Sequence, residues 1–311
     1  MNDAILILSS SNKIPLIEVL RETVPQMKLI GGDVSSEVLS QYFVDKFWKM
    51  PHLQNMGLEE FVLYCKQQNI RFIIPTREGE LEHFARWKPL LKQVGIHIMI
   101  SPIEGIRYTS DKILFAQKLI ANDYPTIPTS QTFNGLHYER FVIKERFGAG
   151  SKNLYLNVLP RDVETFSKTL IDPVFQPYIE GTEYSVDVYV MQNGKAKGAV
   201  VRERIFVVNG ESQITEIAKK PHLEILAMQV AETLNLCGHV MLQIIEDLEG
   251  NPHIIECNAR FGGASTLSVK AGLDSFNWFI KEEDGESLDN FPFKPVQTPL
   301  KQIRYAKDLI L

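Results

Sequence analysis

The feature that most limits what this chain can fold into is a change of rhythm near residue 105. Before it, short apolar runs at residues 4–8, 27–30, 71–75 and 97–100 alternate with helical stretches at 15–21, 58–68 and 81–94. Strands that alternate with helices build βαβ units, and so a mainly parallel sheet with helices on its faces. Ligands meet such sheets at the strand C-termini. Two of these ends are polar, Ser9-Ser10-Ser11 and Pro75-Thr76-Arg77-Glu78. The first lacks the GxGxxG spacing of a dinucleotide fingerprint.

Past residue 105 the texture becomes α+β and mostly antiparallel. Thr109, Ser110 and Asp111 offer an N-cap to a helix that begins at Lys112, and a proline-rich stretch at 125–128 ends it. Long strand-like runs with hairpin turns follow, with clear helices only at 162–170 and 222–236. The tail beyond Lys281 is charged, then punctuated by proline, and is expected to wrap the surface. At 311 residues the chain exceeds one ordinary domain, so several modules sharing a core are expected.

Composition narrows the function. A net charge of −5 gives no global basic field, which argues against a general nucleic-acid binder. Cys65, Cys237 and Cys257 are too scattered for a disulfide framework or a zinc site and read as small core residues. No segment approaches the ~18 uninterrupted apolar residues of a membrane span, so a cytoplasmic protein without a membrane partner is expected.

Three constellations carry chemistry. Residues 141–147, Phe-Val-Ile-Lys-Glu-Arg-Phe, form a strand running into Gly148-Ala149-Gly150-Ser151-Lys152. A lysine half-buried among Phe and Ile needs an anion to offset its burial, and loop glycines let backbone amides approach a phosphate. An exposed hairpin with a surface lysine fits the bare pattern equally well. No GxxxxGK[ST] occurs, which disfavours a P-loop.

In residues 175–188, Glu180 and Glu183 flank a glycine turn that leads into an alternating strand. Such a turn can present backbone to an adenine edge and a carboxylate to ribose; it can also be a polar loop. A two-residue turn at Asn193-Gly194 would set Ser185 opposite Arg202 and Glu183 opposite Arg204. The arginines then serve either as cross-strand ion pairs or as a site for phosphate or carboxylate.

In residues 240–260, two apolar strands flank a Glu-Gly-Asn turn. A two- or four-residue loop puts Gln243 opposite Glu256; a three-residue loop would break that register. Gln243, Glu256 and Asn258 then share a face, with Arg260 continuing the alternation. Such oxygen donors suit Mg²⁺, which takes one or two carboxylates plus substrate phosphates. No catalytic nucleophile stands out. Ser265 and Thr266 read as a helix start, and His239 and His253 as structural or supporting groups.

Lys112, the Lys144 loop, the Glu183 turn and the strand ending Glu256-Cys257-Asn258-Ala259-Arg260 occur in an order and spacing that resembles the ATP-grasp superfamily. The likeness spans roughly residues 1–275 and is greatest to the carbamoyl-phosphate synthase large-chain branch and its single-unit relatives, including the ligase of pyrrolysine biosynthesis. The resemblance implies an α/β parallel-sheet pre-ATP-grasp domain (1–105), followed by an α+β ATP-grasp fold of two subdomains (106–174 and 175–311). It implies that Lys112 contacts ATP phosphate, that Lys144 binds the α- and β-phosphates, and that Gly148, Gly150 and Ser151 close over the triphosphate. Gln176, Tyr178 and Ile179 would line the adenine pocket and Glu183 would hold the ribose. Gln243, Glu256 and Asn258 look like ligands of Mg²⁺, with Mn²⁺ as a substitute, and Arg260 like the group that steadies the transferring phosphoryl. Arg202 or Arg204 would orient the acceptor, and Thr76 and Glu78 match a segment facing the cleft. Ala259 replaces the proline common in Asn-Pro-Arg, and Gln243 is neutral where many relatives carry a carboxylate.

The implied activity is a carboxylate–amine ligase acting through an acyl phosphate on small-molecule substrates, with a homodimer as a family-level expectation. Its rivals are an enzyme that phosphorylates bicarbonate, alone or as a subunit of a split enzyme, and a module that binds ATP without turnover.

Overall fold

In a computed structural model, described here for residues 3–148, 150 and 153–310, the strands fall into three sheets. The first contains β1 (Ala4–Leu8), β2 (Lys28–Asp33), β3 (Lys46–Lys49), β4 (Ile70–Ile74) and β5 (His97–Ile98), all parallel in the order β3-β2-β1-β4-β5. β1 is buried along its whole length, as expected of a strand covered on both faces. Helices α1 (Ile14–Thr23), α2 (Leu58–Gln67) and α3 (Glu78–Gln93) connect these strands.

β3 was not anticipated. Its sequence, Lys-Phe-Trp-Lys, is a short edge strand with charged ends, which hides the apolar signal. Two helices, α4 (Ile103–Ser110) and α5 (Lys112–Ile120), lead into the rest of the chain. Asp111 caps α5, accepting hydrogen bonds from the backbone N–H groups of Ile113 and Leu114. Tyr108, Thr109 and Ser110 belong to α4 rather than to that cap.

A small antiparallel sheet, ordered β7-β6-β8, contains β6 (Phe141–Glu145), β7 (Leu154–Val158) and β8 (Pro173–Pro177), with α6 (Val163–Ser167) between the last two. It has its own core of Phe141, Ile143, Val158, Val163 and Phe175.

The large sheet is ordered β13-β12-β9-β10-β11-β14 and contains β9 (Gly181–Val190), β10 (Ala196–Val208), β11 (Glu211–Ile217), β12 (Gly238–Asp247), β13 (Pro252–Asn258) and β14 (Lys301–Ile303). Helices α7 (Pro221–Thr233), α8 (Ser265–Lys270) and α9 (Ser275–Glu283) complete it. The tail forms the outer strand β14 and does not merely wrap the surface. Buried side chains of the parallel sheet, such as Leu6 and Leu8, share one apolar cluster with Val186, Val188 and Leu242 of the large sheet.

Both hairpins that set the site use three-residue loops. Met191 N–H donates to the Lys195 carbonyl and Gly194 N–H to that of Met191, both at 2.9 Å; Asp247 and Asn251 repeat the pattern, with Gly250 N–H donating to Asp247, both at 3.0 Å. Gly194 and Gly250 supply the left-handed residue such loops need, at φ 81° and 86°. The expected two-residue turn at Asn193-Gly194 is therefore corrected. In each hairpin a bulge, at Lys197 and at Ile255, takes up the odd residue, so Ser185 still faces Arg202 and Gln243 still faces Glu256.

Candidate active site

A cleft of about 880 Å³ runs between the strand ends of the parallel sheet and the large sheet. It is lined by Thr76 and Glu78 on one side, Lys112, Gly148 and Gly150 at the start of α5 and the glycine loop, and Gln243, Glu256, Asn258 and Arg260 on the other. Arg202 and Arg204 line its far wall. Ala149, Ser151 and Lys152 of the glycine loop lie outside the described residues.

Lys144 projects from β6 into surroundings that leave it 8% exposed. Burial pulls its ammonium down to about 8, and Lys112 adds to the depression; Glu256 and Glu183 oppose it. Lys112 is lowered by burial too, against Glu256 and Glu78. Its ammonium donates to the carbonyls of Arg146 and Gly148 at 3.3 and 3.1 Å, clasping the root of the glycine loop. Arg146 turns away from the site: it holds the helix cap Asp111 through a two-pronged pair at 2.8 and 2.6 Å.

The carboxylates show the opposite imbalance. Burial raises Glu78, with Arg260 opposing and Glu256 adding to the rise. Burial also raises Glu183, with Arg204 opposing. Glu78 pairs with Arg260 at 3.2 Å, yet both its oxygens are sealed from solvent and lack a hydrogen bond of good geometry. Amines and carboxylates alike thus hold charges that the free protein supports poorly. A ligand bringing anionic phosphates and a cation would relieve both.

Gln243, Glu256 and Asn258 sit on adjoining positions of β12 and β13. The Asn258 amide nitrogen donates to Glu256 at 3.3 Å, and its oxygen accepts from Arg260 at 3.2 Å. One carboxylate with two amides fits a divalent ion held largely by substrate phosphates rather than a stand-alone protein cage. Among the described residues no group of His, Cys, Asp and Glu forms such a cage.

The arginines are engaged. Arg204 pairs with Glu183 at 3.1 Å and donates to the Gly210 carbonyl at 3.0 Å. Arg202, 1% exposed, donates to Asp187 at 2.7 Å. Asp187 also meets Ser265 and Ser268, each at 2.5 Å, and His239 at 3.0 Å. Burial alone would raise Asp187, but the Arg202 guanidinium and the His239 bond outweigh it and hold the carboxyl well below the usual carboxylate range. Ser265 and Thr266 do open a helix, α8, and His239 lies wholly inside this network. His253 binds Asp247 at 2.7 Å, beside the hairpin loop.

Gln176, Tyr178 and Ile179 lie on β8 and the link to β9, beyond the residues that line the cleft. Gln176 is buried and donates to Thr129 at 2.8 Å, while Tyr178 is partly exposed. Lys13 and Glu211, which no sequence motif marks, also line the cleft. Neither sits in a strand-end motif of distinctive spacing, so only the folded chain brings them there.

A parallel-sheet domain followed by antiparallel sheets around a lysine-lined cleft is the ATP-grasp arrangement. Residues 170–306 match the family described as ATP-grasp in the biosynthetic pathway with Ter operon, and residues 5–99 match the PylC-like N-terminal domain. The second half of the chain is thus similar to the ATP-grasp family and the first to the PylC-like N-terminal domain. No curated protein matches its sequence.

Among solved structures it resembles a biotin carboxylase β,γ-ATP complex from Campylobacter jejuni (TM-score 0.73, 16% identity, 91% of this chain and 71% of that one). It resembles N5-carboxyaminoimidazole synthetase from Staphylococcus aureus complexed with ADP (0.72, 17%, 93% and 79%). It also resembles an L-amino acid ligase from Bacillus licheniformis (0.68, 16%, 95% and 78%). At such identities the likeness establishes the fold. Among the described residues, no helix is long and apolar enough to cross a membrane.

Proposed function

We propose that this chain is an ATP- and Mg²⁺-dependent carboxylate–amine ligase that works through an acyl phosphate. The observation that carries the reading is the electrostatic state of the cleft and its border. Lys112 and Glu78 line the cleft, while Lys144 and Glu183 lie behind the lining and couple to its Glu256. Burial depresses both lysines and raises both carboxylates. An ADP complex of a fold relative, and a carboxylase domain with MgADP and bicarbonate, support nucleotide and metal as the ligands.

A carboxylate is a poor electrophile because attack adds charge to an anion. Transfer of the γ-phosphoryl turns one of its oxygens into a leaving group, which an amine then displaces. That transfer needs alignment and charge neutralisation more than a protein nucleophile. Lys144 and Lys112 would hold the phosphates under the glycine loop, including Ser151. Arg260, kept in place by Glu78, would face the transferring group. Gln243, Glu256 and Asn258 would hold Mg²⁺ or Mn²⁺, which neutralises phosphate charge when bound.

Gln176, Tyr178 and Ile179 would meet the adenine, and Glu183 the ribose if it exchanges its bond to Arg204. Arg202, locked to Asp187, serves this reading as a support for the wall, and Arg204 as the arginine nearer the acceptor. Within it the working units are residues 1–105, 106–174 and 175–311, the first division falling in α4. The neutral Gln243 supports a placement near the carbamoyl-phosphate synthase branch.

The test is an ADP-release screen of small carboxylates, each with a panel of amines. Glu256→Gln should lower acid-dependent turnover on the order of 100-fold or more while leaving nucleotide binding measurable. Turnover untouched by that change would contradict the assignment. ADP release driven by bicarbonate alone would favour the carboxylase-like alternative. Nucleotide uptake without any release would favour a binding module.

A further inference from the structure

A second cavity of about 600 Å³ adjoins the cleft, with Lys13, Thr76, Glu211, Gly262 and Gly263 common to the linings of both. We propose that this chamber seats the acid substrate, an organic carboxylate with a sizeable apolar body, and that the tail from Gln302 to Leu309 forms the wall that selects it. This inference deepens the ligase reading and rests on it.

The walls support a two-ended ligand. Pro15 and Leu16 in the first turn of α1, with Phe43 and Phe261, give one apolar face. Tyr305 and Leu309 of the tail give the other. The tail is fixed by the pairing of β14 with β11, by Arg304 donating to Glu211 at 2.5 Å, and by a further bond from Arg304 to the Gly263 carbonyl.

Positive charge gathers where the chamber meets the cleft. The Lys13 ammonium has no hydrogen-bond or ion-pair partner among the described residues, and it feels Arg260 and Arg304 as neighbouring cations. Glu211 and Glu80 are the acidic groups facing it. Arg260 is paired with Glu78 and Arg304 with Glu211, so the Lys13 ammonium is the cation left to meet a ligand, and a carboxylate bound to it would lie near Arg260. Volume sets the rest of the ligand. Even if each of bicarbonate's four heavy atoms claimed a water's ~30 Å³ of liquid, the ion would fill roughly a fifth of the chamber.

In the reaction this seat serves, a carboxylate oxygen bonds to the γ-phosphorus. The bond from that phosphorus to the β,γ-bridging oxygen breaks, and ADP leaves with the electron pair. Hydroxylamine can replace the natural amine: its nitrogen bonds to the acyl carbon, phosphate departs and a proton passes to buffer, leaving a hydroxamate.

The experiment uses the full chain with Mg²⁺, ATP and hydroxylamine, and offers acetate, hexanoate, 3-phenylpropanoate or bicarbonate. Hydroxamate and ADP are both measured, and affinity for a non-hydrolysable ATP analogue is taken on the same samples. The expected result is a kcat/KM for ADP release at least tenfold higher with hexanoate or 3-phenylpropanoate than with acetate. Pro15→Trp, which fills the chamber from an exposed position, should raise the KM for those acids about tenfold and leave analogue affinity unchanged; Tyr305→Ala should weaken the preference for them. A chain that binds the analogue but shows no acid-stimulated release, or no dependence on apolar size, or no response to Pro15→Trp, overturns the chamber assignment and leaves nucleotide binding standing. A chain that fails to bind the analogue overturns the ligase reading as well.

Discussion

Lys144 carries its charge where water gives it little support. Because burial depresses its ammonium to about 8, the charged form is penalised below that pH in the folded state. As pH rises from about 8 towards the ordinary lysine value of ~10.4, the folded chain loses the proton first and the penalty is relieved. Folding stability should therefore rise across that window in the free protein. Nucleotide binding should show the reverse, because phosphate favours the charged amine. Its affinity should be flat below pH 8 and fall by up to about tenfold per unit above it, with proton uptake visible by calorimetry in buffers of different ionisation enthalpy. An affinity flat to pH 9.5 would contradict this.

Asp187 shows the other kind of buried charge, one fully answered by Arg202, His239, Ser265 and Ser268. Removing it in Asp187→Ala strands Arg202 and should cost about 3–5 kcal/mol in denaturant unfolding. In the parent chain this contribution is present above the unfolded carboxylate's pKa of ~3.9 and is lost only as acid reaches the depressed folded value.

At the scale of elements, the small sheet β7-β6-β8 has a separate core of five buried side chains. Phe175→Ala should cost about 3–5 kcal/mol locally. It should speed amide exchange across β6–β8 while leaving β9 and β12 protected; uniform loss of protection would contradict a separate unit. Elements with strong period were legible in the sequence: β1, α2 and the paired strands around Gly250 stand close to where their patterns place them. Lys46–Lys49 escaped because a charged edge strand carries little apolar signal.

Helix α9 escaped for another reason. Its buried Phe276, Trp278 and Phe279 sit in a stretch whose charged end reads as tail. The facing of Gln243 and Glu256 was legible, but its cause was not. A three-residue loop and a bulge cancel, and no local pattern announces the bulge at Ile255. The cleft's electrostatic state was out of reach for the same kind of reason, because Glu78, Lys112 and Glu256 come from separate elements and acquire their shifts only from mutual burial.

Across the whole molecule, the parallel sheet and the large antiparallel sheet share continuous apolar clusters. The cleft between them is therefore a seam in one folded body. The central claim is that this seam holds a magnesium–triphosphate pair between Lys144 and Glu256. Isothermal titration of the chain with a non-hydrolysable ATP analogue and Mg²⁺ tests it most directly. One site per chain is predicted, weakened on the order of 100-fold or more by Lys144→Met. An absence of binding heat, or equal affinity in the variant, would contradict it.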